Sequence, residues 1–159
     1  MPNLSSDDVA MLRSMPISIV AAAAAVEVED GGCTMGEILA GIRGIIGGAE
    51  SFPQNGLITA AFEAYKMDGA GEAELLAVCQ SAPPDLATST LDLCRQASAR
   101  LARREDDWAG FAGWLHDLAV AVVAASAAGG LLGIGGERVT AVESSFLAEL
   151  VTALRATAA

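Results

Sequence analysis

The sequence has few of the side chains on which catalysis and metal binding most often depend. It contains a single histidine, His116, and three cysteines, Cys33, Cys79 and Cys94, none of them in a CxxC spacing. One histidine leaves little for histidine-based catalysis, and cysteines spaced this far apart predict neither a zinc site nor a disulfide framework. We therefore expect three reduced thiols that pack as small apolar side chains in a cytoplasmic protein.

Basic and aromatic residues are also scarce. Nine Lys and Arg face 20 Asp and Glu, giving a net charge of −11, and a surface this acidic repels the phosphates of nucleic acids. Aromatic residues make up 4% of a chain that is 53% apolar, so the core must consist largely of Ala, Leu, Val and Ile. A chain of 159 residues fits one domain, and we take residues 1–159 as a single domain.

Motifs of common enzyme classes are absent. Neither GxSxG nor GxxxxGK[ST] occurs, and the glycines of residues 133–136 follow a helical pattern rather than a strand. Trp108 and Trp114 are predicted to pack in the core, and His116 to lie at the surface beside Asp117. We therefore expect no catalytic or cofactor-binding residues and a protein that is not an enzyme.

Strand patterns are almost absent, and helix patterns fill the chain. Capping residues followed by apolar repeats predict an all-α bundle of about seven helices, with antiparallel neighbours joined by short turns. Pro16 is expected to restart or kink the first helix, and the apolar segment from there to about Val28 should be central. The apolar stretch 118–136 is predicted to be a buried helix followed by a Gly-rich loop, because its glycines would interrupt a membrane span.

The helix predicted from about Met35 to Gly47 carries two stripes. The apolar stripe consists of Ile38, Ile42, Ile45 and Ile46, and the second stripe consists of Gly41, Gly44 and Gly48. Each glycine costs about 1 kcal/mol of helix propensity. We therefore expect a neighbouring helix to approach closely along the glycine stripe.

Two segments share one order of residue types. Residues 21–37 and 120–143 each contain an Ala-rich helix, a glycine pair and a Thr-x-x-Glu motif that opens an amphipathic helix. Small residues let two such helices cross closely. This order predicts a duplicated helix–loop–helix in which residues 16–49 and 118–155 are related by pseudo-twofold symmetry.

The repeated pattern resembles the TerB-like family, the helical domain of tellurite-resistance protein B that also occurs at the N-terminus of the DjlA co-chaperone. The resemblance rests on Asp30-Gly31 after the Ala-rich helix, on Thr34 to Glu37, and on Val139-Thr140 to Glu143 followed by Phe146, Leu147 and Leu150. It implies a bundle of about seven helices, an acidic site for divalent cations, a link to the tellurite-type stress response and peripheral membrane association. The second segment lacks the aspartate, and no His-Pro-Asp tripeptide of a J-domain is present.

Four acidic residues form the candidate metal site: Glu27, Asp30, Glu37 and Glu143. Carboxylates drawn together by folding repel one another, and a hard cation such as Ca²⁺, Mg²⁺ or Mn²⁺ with oxygen ligands would relieve that repulsion. The alternative is that both Thr-x-x-Glu motifs are capping boxes that only stabilise helix starts. The sequence thus leaves two functions open: a non-enzymatic, cation-binding TerB-like module, or a helical module that binds a protein partner and whose acidic loop is structural.

Overall fold

The computed structural model describes residues 4–26, 33–128 and 139–155, and within these ranges it contains seven α-helices and no strand. The helices are α1 (Ser6–Ala25), α2 (Met35–Ser51), α3 (Gly56–Lys66), α4 (Ala70–Gln80), α5 (Leu86–Leu101), α6 (Glu105–Ala128) and α7 (Ala141–Leu154), with a short 3-10 turn, Met67–Gly69, before α4. The all-α prediction is confirmed for these ranges. The acidic loop 27–32 and the Gly-rich segment 129–138 lie outside the described residues.

α1 is the central helix, as its apolar sequence predicts. It packs against α2, α3, α4, α5 and α6, and every residue from Ile19 to Ala24 is buried. A helix buried on every side over six consecutive residues must be covered from all directions. α1 continues through Pro16, so the restart expected at this residue does not occur. Packing against five neighbours outweighs the cost of about 3 kcal/mol that a proline imposes inside a helix.

Four of the helices form a ring in which α1 packs on α5 and α6, and α7 packs on the same two helices. Arg100 near the end of α5 pairs with Asp8 near the start of α1 at 2.8 Å. Further along both helices, the Thr90 hydroxyl donates to the Ser18 carbonyl at 3.4 Å. α1 and α5 are therefore antiparallel.

The glycines of α2 lie where its neighbours come closest. A Cβ added at Gly41, Gly44 or Gly48 would overlap a side chain of an adjacent helix, and those side chains are Val20, Leu118 and Trp114 respectively. The predicted close approach is thus confirmed for all three glycines. The order of these contacts also shows that α2 runs antiparallel to α6, because later residues of α2 meet earlier residues of α6.

The start of α3 is fixed to the start of α6 by a pair of polar side chains. The Asn55 side-chain oxygen accepts hydrogen bonds from the backbone N–H groups of Leu57 and Ile58, both at 3.0 Å. Asp107 Oδ1 accepts from the Gly56 N–H at 3.1 Å, and Asn55 Nδ2 donates to the Asp107 carbonyl at 2.8 Å. Three N–H groups that a helix start leaves without partners are satisfied in this way.

Two helices of the described ranges are long and apolar enough to cross a bilayer, namely α1 and residues 106–126 of α6. A core helix of a helical bundle has the same length and composition, and α1 packs on five neighbours. The helical part of the predicted 118–136 segment extends to Ala128.

Candidate functional site

Both Thr-x-x-Glu motifs form capping boxes. The Thr34 hydroxyl accepts from the Glu37 N–H at 3.3 Å, and Glu37 Oε2 accepts from the Thr34 N–H at 2.6 Å. At the start of α7, Thr140 and Glu143 make the same two hydrogen bonds at 3.2 and 2.9 Å. A cap of this kind contributes about 1 kcal/mol to stability. The capping geometry predicted for both motifs is therefore confirmed.

The two glutamates are more deeply buried than capping requires. Glu37 is 2% exposed and Glu143 is 3% exposed, whereas glutamate is rarely fully buried in folded proteins. Burying a carboxylate costs free energy unless polar groups surround it. The hydrogen bond from the threonine N–H offsets part of that cost in each box.

The first turns of α2 and α7 lie toward the same end of the bundle. Trp108 Nε1, in the first turn of α6, donates to the carbonyl of Leu154 at the end of α7 at 3.0 Å, so α7 is antiparallel to α6. Because α2 is also antiparallel to α6, Glu37 and Glu143 both lie toward the C-terminal end of α6. α2 and α7 do not pack closely on each other, however. The two carboxylates therefore lie toward the same end of the bundle, on helices that do not pack against each other.

The predicted four-carboxylate metal site is only partly visible. Glu27 and Asp30 lie outside the described residues. Among the residues that the structure describes, no group of three or more His, Cys, Asp or Glu side chains is arranged to hold a metal ion. The site formed by Glu27, Asp30, Glu37 and Glu143 therefore stays a prediction.

The expectation of three reduced cysteines is wrong. Cys33 and Cys79 form a disulfide with a Cα–Cα distance of 5.2 Å, and Cys94 remains a free, buried thiol. The bond joins the residue before the α2 cap to the last turn of α4, which otherwise touches α2 only slightly. Reduced cysteines were one argument for a cytoplasmic location, and that argument is lost. The location itself stays a prediction.

The apolar stripe predicted for α2 is only partly buried. Ile38 and Ile45 are buried, as expected, but Ile46 is 38% exposed and Ile42 is only partly buried. The buried side of α2 follows the glycine stripe, which turns the rest of the apolar residues outward. Met35, Leu39, Ile42 and Ile46 share this outward side, and we call these four residues the α2 face. Met35 is 66% exposed and Leu39 is 43% exposed.

A groove of about 560 Å³ lies where α5, α6 and α7 meet. Trp108, Ala112 and His116 line it from α6, and Leu154 and Arg155 line it from the end of α7. His116 is half-exposed, with Nδ1 3.6 Å from Asp117 Oδ1, as the surface prediction requires. Because Trp108 uses its indole N–H on the Leu154 carbonyl, it serves the packing of α6 on α7.

Trp114 also packs in the core, as predicted. Trp114 is 4% exposed, and its Nε1 donates to the Gly44 carbonyl at 3.0 Å. Both tryptophan rings contact the Phe111 ring at a tilt, with centroids 5.7 and 5.6 Å from it, and Phe111 lies between them along α6. Neither indole is left open as a platform for a ligand.

The disulfide and the exposed α2 face were not predicted from the sequence. The disulfide could not be found from cysteine spacing, since 46 residues separate its two members. The α2 face did carry a signal, because at 3.6 residues per turn it lies on the side of the helix away from the glycine stripe, along which close packing was expected.

No family model, curated protein or solved structure matches the chain. The function must therefore be argued from the geometry.

Proposed function

We propose that the chain is a non-enzymatic helical module that binds a protein partner through the α2 face. The observation that carries this proposal is the exposure of Met35, Leu39 and Ile46 along one side of α2. Met35 and Ile46 are 11 residues apart, so the α2 face is about 16 Å long. Single exposed apolar residues are ordinary, but an aligned row of them marks an interaction surface.

The spacing of the α2 face fits a helical partner. Residues 35, 39, 42 and 46 follow the i, i+4, i+7, i+11 pattern by which one helix presents an apolar side to another. Gly47 lies next to Arg43 on the side of α2 beyond this face, and nothing lies within 4 Å of the place where its Cβ would be. The backbone of a second helix could therefore approach this part of α2 closely.

Site-specific photo-crosslinking tests the proposal. A photoreactive benzoyl-phenylalanine at position 39 should form a defined adduct when the full chain is expressed in its own host. The same group at Gln96, an exposed position on α5, should not form it. Substitution of Ile46 by Asp in the same chain should abolish the adduct. The same adducts from both positions, or none from position 39, would refute the proposal.

A second candidate function is the cation-binding TerB-like module, linked to a stress response in the cytoplasm or at a membrane surface. The observation that favours it is the burial of Glu37 and Glu143 at one end of the bundle. Glu27 and Asp30 belong by sequence to the segment that connects α1 to α2. A divalent cation held there by Glu27, Asp30, Glu37 and Glu143 would offset the burial of charge.

The internal repeat belongs to this second candidate. A pseudo-twofold axis would exchange residues 16–49 with residues 118–155. The contacts α1–α2 and α6–α7 are both present, and α1 packs on α6. The extensive contact between α2 and α6 has no counterpart of similar size between α1 and α7. Least-squares superposition of the two units tests the repeat directly.

Thermal unfolding with added cation tests the second candidate. At a hundredfold excess over Kd, binding to the folded state alone contributes about 2.7 kcal/mol, which corresponds to a rise in Tm on the order of 5–10 °C. Glu37→Gln or Asp30→Asn should abolish the rise, whereas Glu149→Gln, with the same change of charge on an exposed residue, should preserve it. Equal responses of all three variants would show that the cation acts only by screening the net charge of −11.

A further inference from the structure

We propose that the partner that docks on the α2 face is a second copy of this chain, in an antiparallel arrangement with a twofold axis between residues 46 and 47. This inference rests on the proposed function and names its occupant. A twofold interface uses the same surface on both chains. With the axis between residues 46 and 47, the C-terminal end of the α2 face, Ile46, meets its own copy, and the rest of the row lies along the segment that follows α2 in the second chain.

The charges beside the α2 face identify the occupant. Arg43 and Glu50 are both exposed and stand seven residues apart, so they lie along the same edge of α2. Within the part of the chain that the structure describes, neither takes part in an ion pair. In an antiparallel helix pair, residues on the same edge of the two helices face each other. Arg43 of one copy can thus meet Glu50 of the second copy, twice in each dimer.

Among the residues that the structure describes, no basic side chain pairs with Glu50. It lies in the last turn of α2, where the negative end of the helix dipole disfavours a carboxylate, and no basic residue occupies that turn. A guanidinium from a second copy would relieve this repulsion. The acid at this place is therefore better explained by an intermolecular contact than by the stability of α2.

The register set by the two ion pairs also brings apolar residues of the two copies together. Pairing residue 43 with residue 50 places Ile46 level with Gly47 of the second copy, so the two Ile46 residues are offset by only about 1.5 Å along the helix axis. It places Leu39 level with Gln54 of the second copy, two residues beyond Phe52, which follows α2 and is 44% exposed. This register pairs both charges and brings Ile46, Leu39 and Phe52 of each chain to the interface, whereas Met35 lies beyond the end of the second α2.

Sedimentation of the purified full chain with charge-swapped variants tests the arrangement. The unmodified chain should form a dimer in the micromolar range at 0.15 M salt. Arg43→Glu places two carboxylates opposite each other, and Glu50→Arg places two guanidinium groups opposite each other. Each change affects two symmetric contacts, and each should raise the dimer Kd by about tenfold or more.

The decisive sample is an equimolar mixture of the two variants. In a mixed dimer, residues 43 and 50 of one chain are both acidic and those of the other are both basic, so both pairs are restored. The mixture should dimerise like the unmodified chain, although each variant alone is mainly monomeric. The double variant Arg43→Glu/Glu50→Arg should dimerise as well. These substitutions are at exposed positions, and circular dichroism should show that all chains remain folded.

Three results would overturn the inference: a monomeric unmodified chain at 100 μM, a mixture no more dimeric than its components, or a dimer that neither single variant weakens. The crosslinking and sedimentation results together distinguish a failure of self-association from a failure of the proposed function. A crosslink from position 39 to a different protein, with a monomeric chain in sedimentation, would support the module and refute self-association. A crosslink to the chain itself, with the charge effects described, would support both.

Discussion

Removing the Cys33–Cys79 disulfide should destabilise the protein by an amount that follows from its place in the chain. The two cysteines are separated by 46 residues, and a cross-link of that span reduces the conformational entropy of the unfolded chain. The loop-closure relation gives about 4 kcal/mol at 25 °C for a loop of this size. For a chain of 159 residues, that corresponds to a fall in Tm of about 8–16 °C.

Cys33→Ala and Cys79→Ala open the same loop, so both variants should lose a similar amount in thermal unfolding followed by circular dichroism. Cys94→Ala is the matched control, because Cys94 is a free thiol and its variant keeps the cross-link. Added dithiol should lower the Tm of the Cys94 variant but not that of the other two. Denatured protein should show one titratable thiol before reduction and three afterwards. Three thiols before reduction, or equal Tm values for all variants, would refute the reasoning.

Two further predictions concern packing and pH. Gly48→Ala should destabilise the protein by about 1–3 kcal/mol, because the new methyl group would overlap the Trp114 indole. Gly47→Ala has no atom within 4 Å of the new methyl group and should stabilise the protein by up to about 1 kcal/mol. Urea unfolding of both variants measures the difference. Burial raises the pKa of the Cys94 thiol from 9.0 to about 12, and burial followed by the charge of Glu72 raises the pKa of Tyr65 from 10.0 to about 12. In both groups the folded state keeps a proton that the unfolded state loses. These two groups should therefore leave the free energy of unfolding unchanged below pH 8 and lower it between pH 9 and 12 by up to about 1.4 kcal/mol per pH unit for each group. Urea titrations across that range should show a shallower fall for Tyr65→Phe, and an unchanged slope would contradict the assignment.

Local sequence rules predicted the features that depend on neighbouring residues. Thr34 and Thr140 cap their helices as the Thr-x-x-Glu spacing indicates, because donor and acceptor are three residues apart and need no tertiary structure to meet. The glycine stripe of α2 was equally informative. Three glycines on one side of a helix are costly unless something packs there, and the structure places one large side chain against each.

Features set by tertiary contact were not predictable. The proximity of Cys33 and Cys79 depends on how α4 lies beside the start of α2, and nothing within either segment records it. Asp107 belongs by sequence to the acidic first turn of α6, yet its side chain serves the start of α3. The exposure of Leu39 and Ile46 has the same kind of cause. The glycine side of α2 packs tightly against α1 and α6, so the side that carries Leu39 and Ile46 is turned away from them.

The link between α3 and α6 allows a test in which the local and tertiary contributions separate. Asn55→Asp keeps the side-chain oxygen that caps α3, and aspartate is as good a cap as asparagine, with a favourable dipole interaction besides. The substitution removes the Nδ2 group, which donates a hydrogen bond of 2.8 Å to the Asp107 carbonyl.

We therefore expect Asn55→Asp to destabilise by about 1–3 kcal/mol in urea unfolding, and the whole loss to come from the contact with α6. Asp107→Asn keeps an oxygen for the Gly56 N–H and should cost less than Asn55→Asp. In Asn55→Asp the new carboxylate also repels the Asp107 carboxylate. Adding Asp107→Asn removes this repulsion but does not restore the Nδ2 donor of Asn55. The double variant should therefore recover only part of the lost stability. A variant with aspartate at position 55 that is as stable as the unmodified chain would mean that the local cap alone holds the start of α3. The hydrogen bond to Asp107 would then contribute nothing measurable.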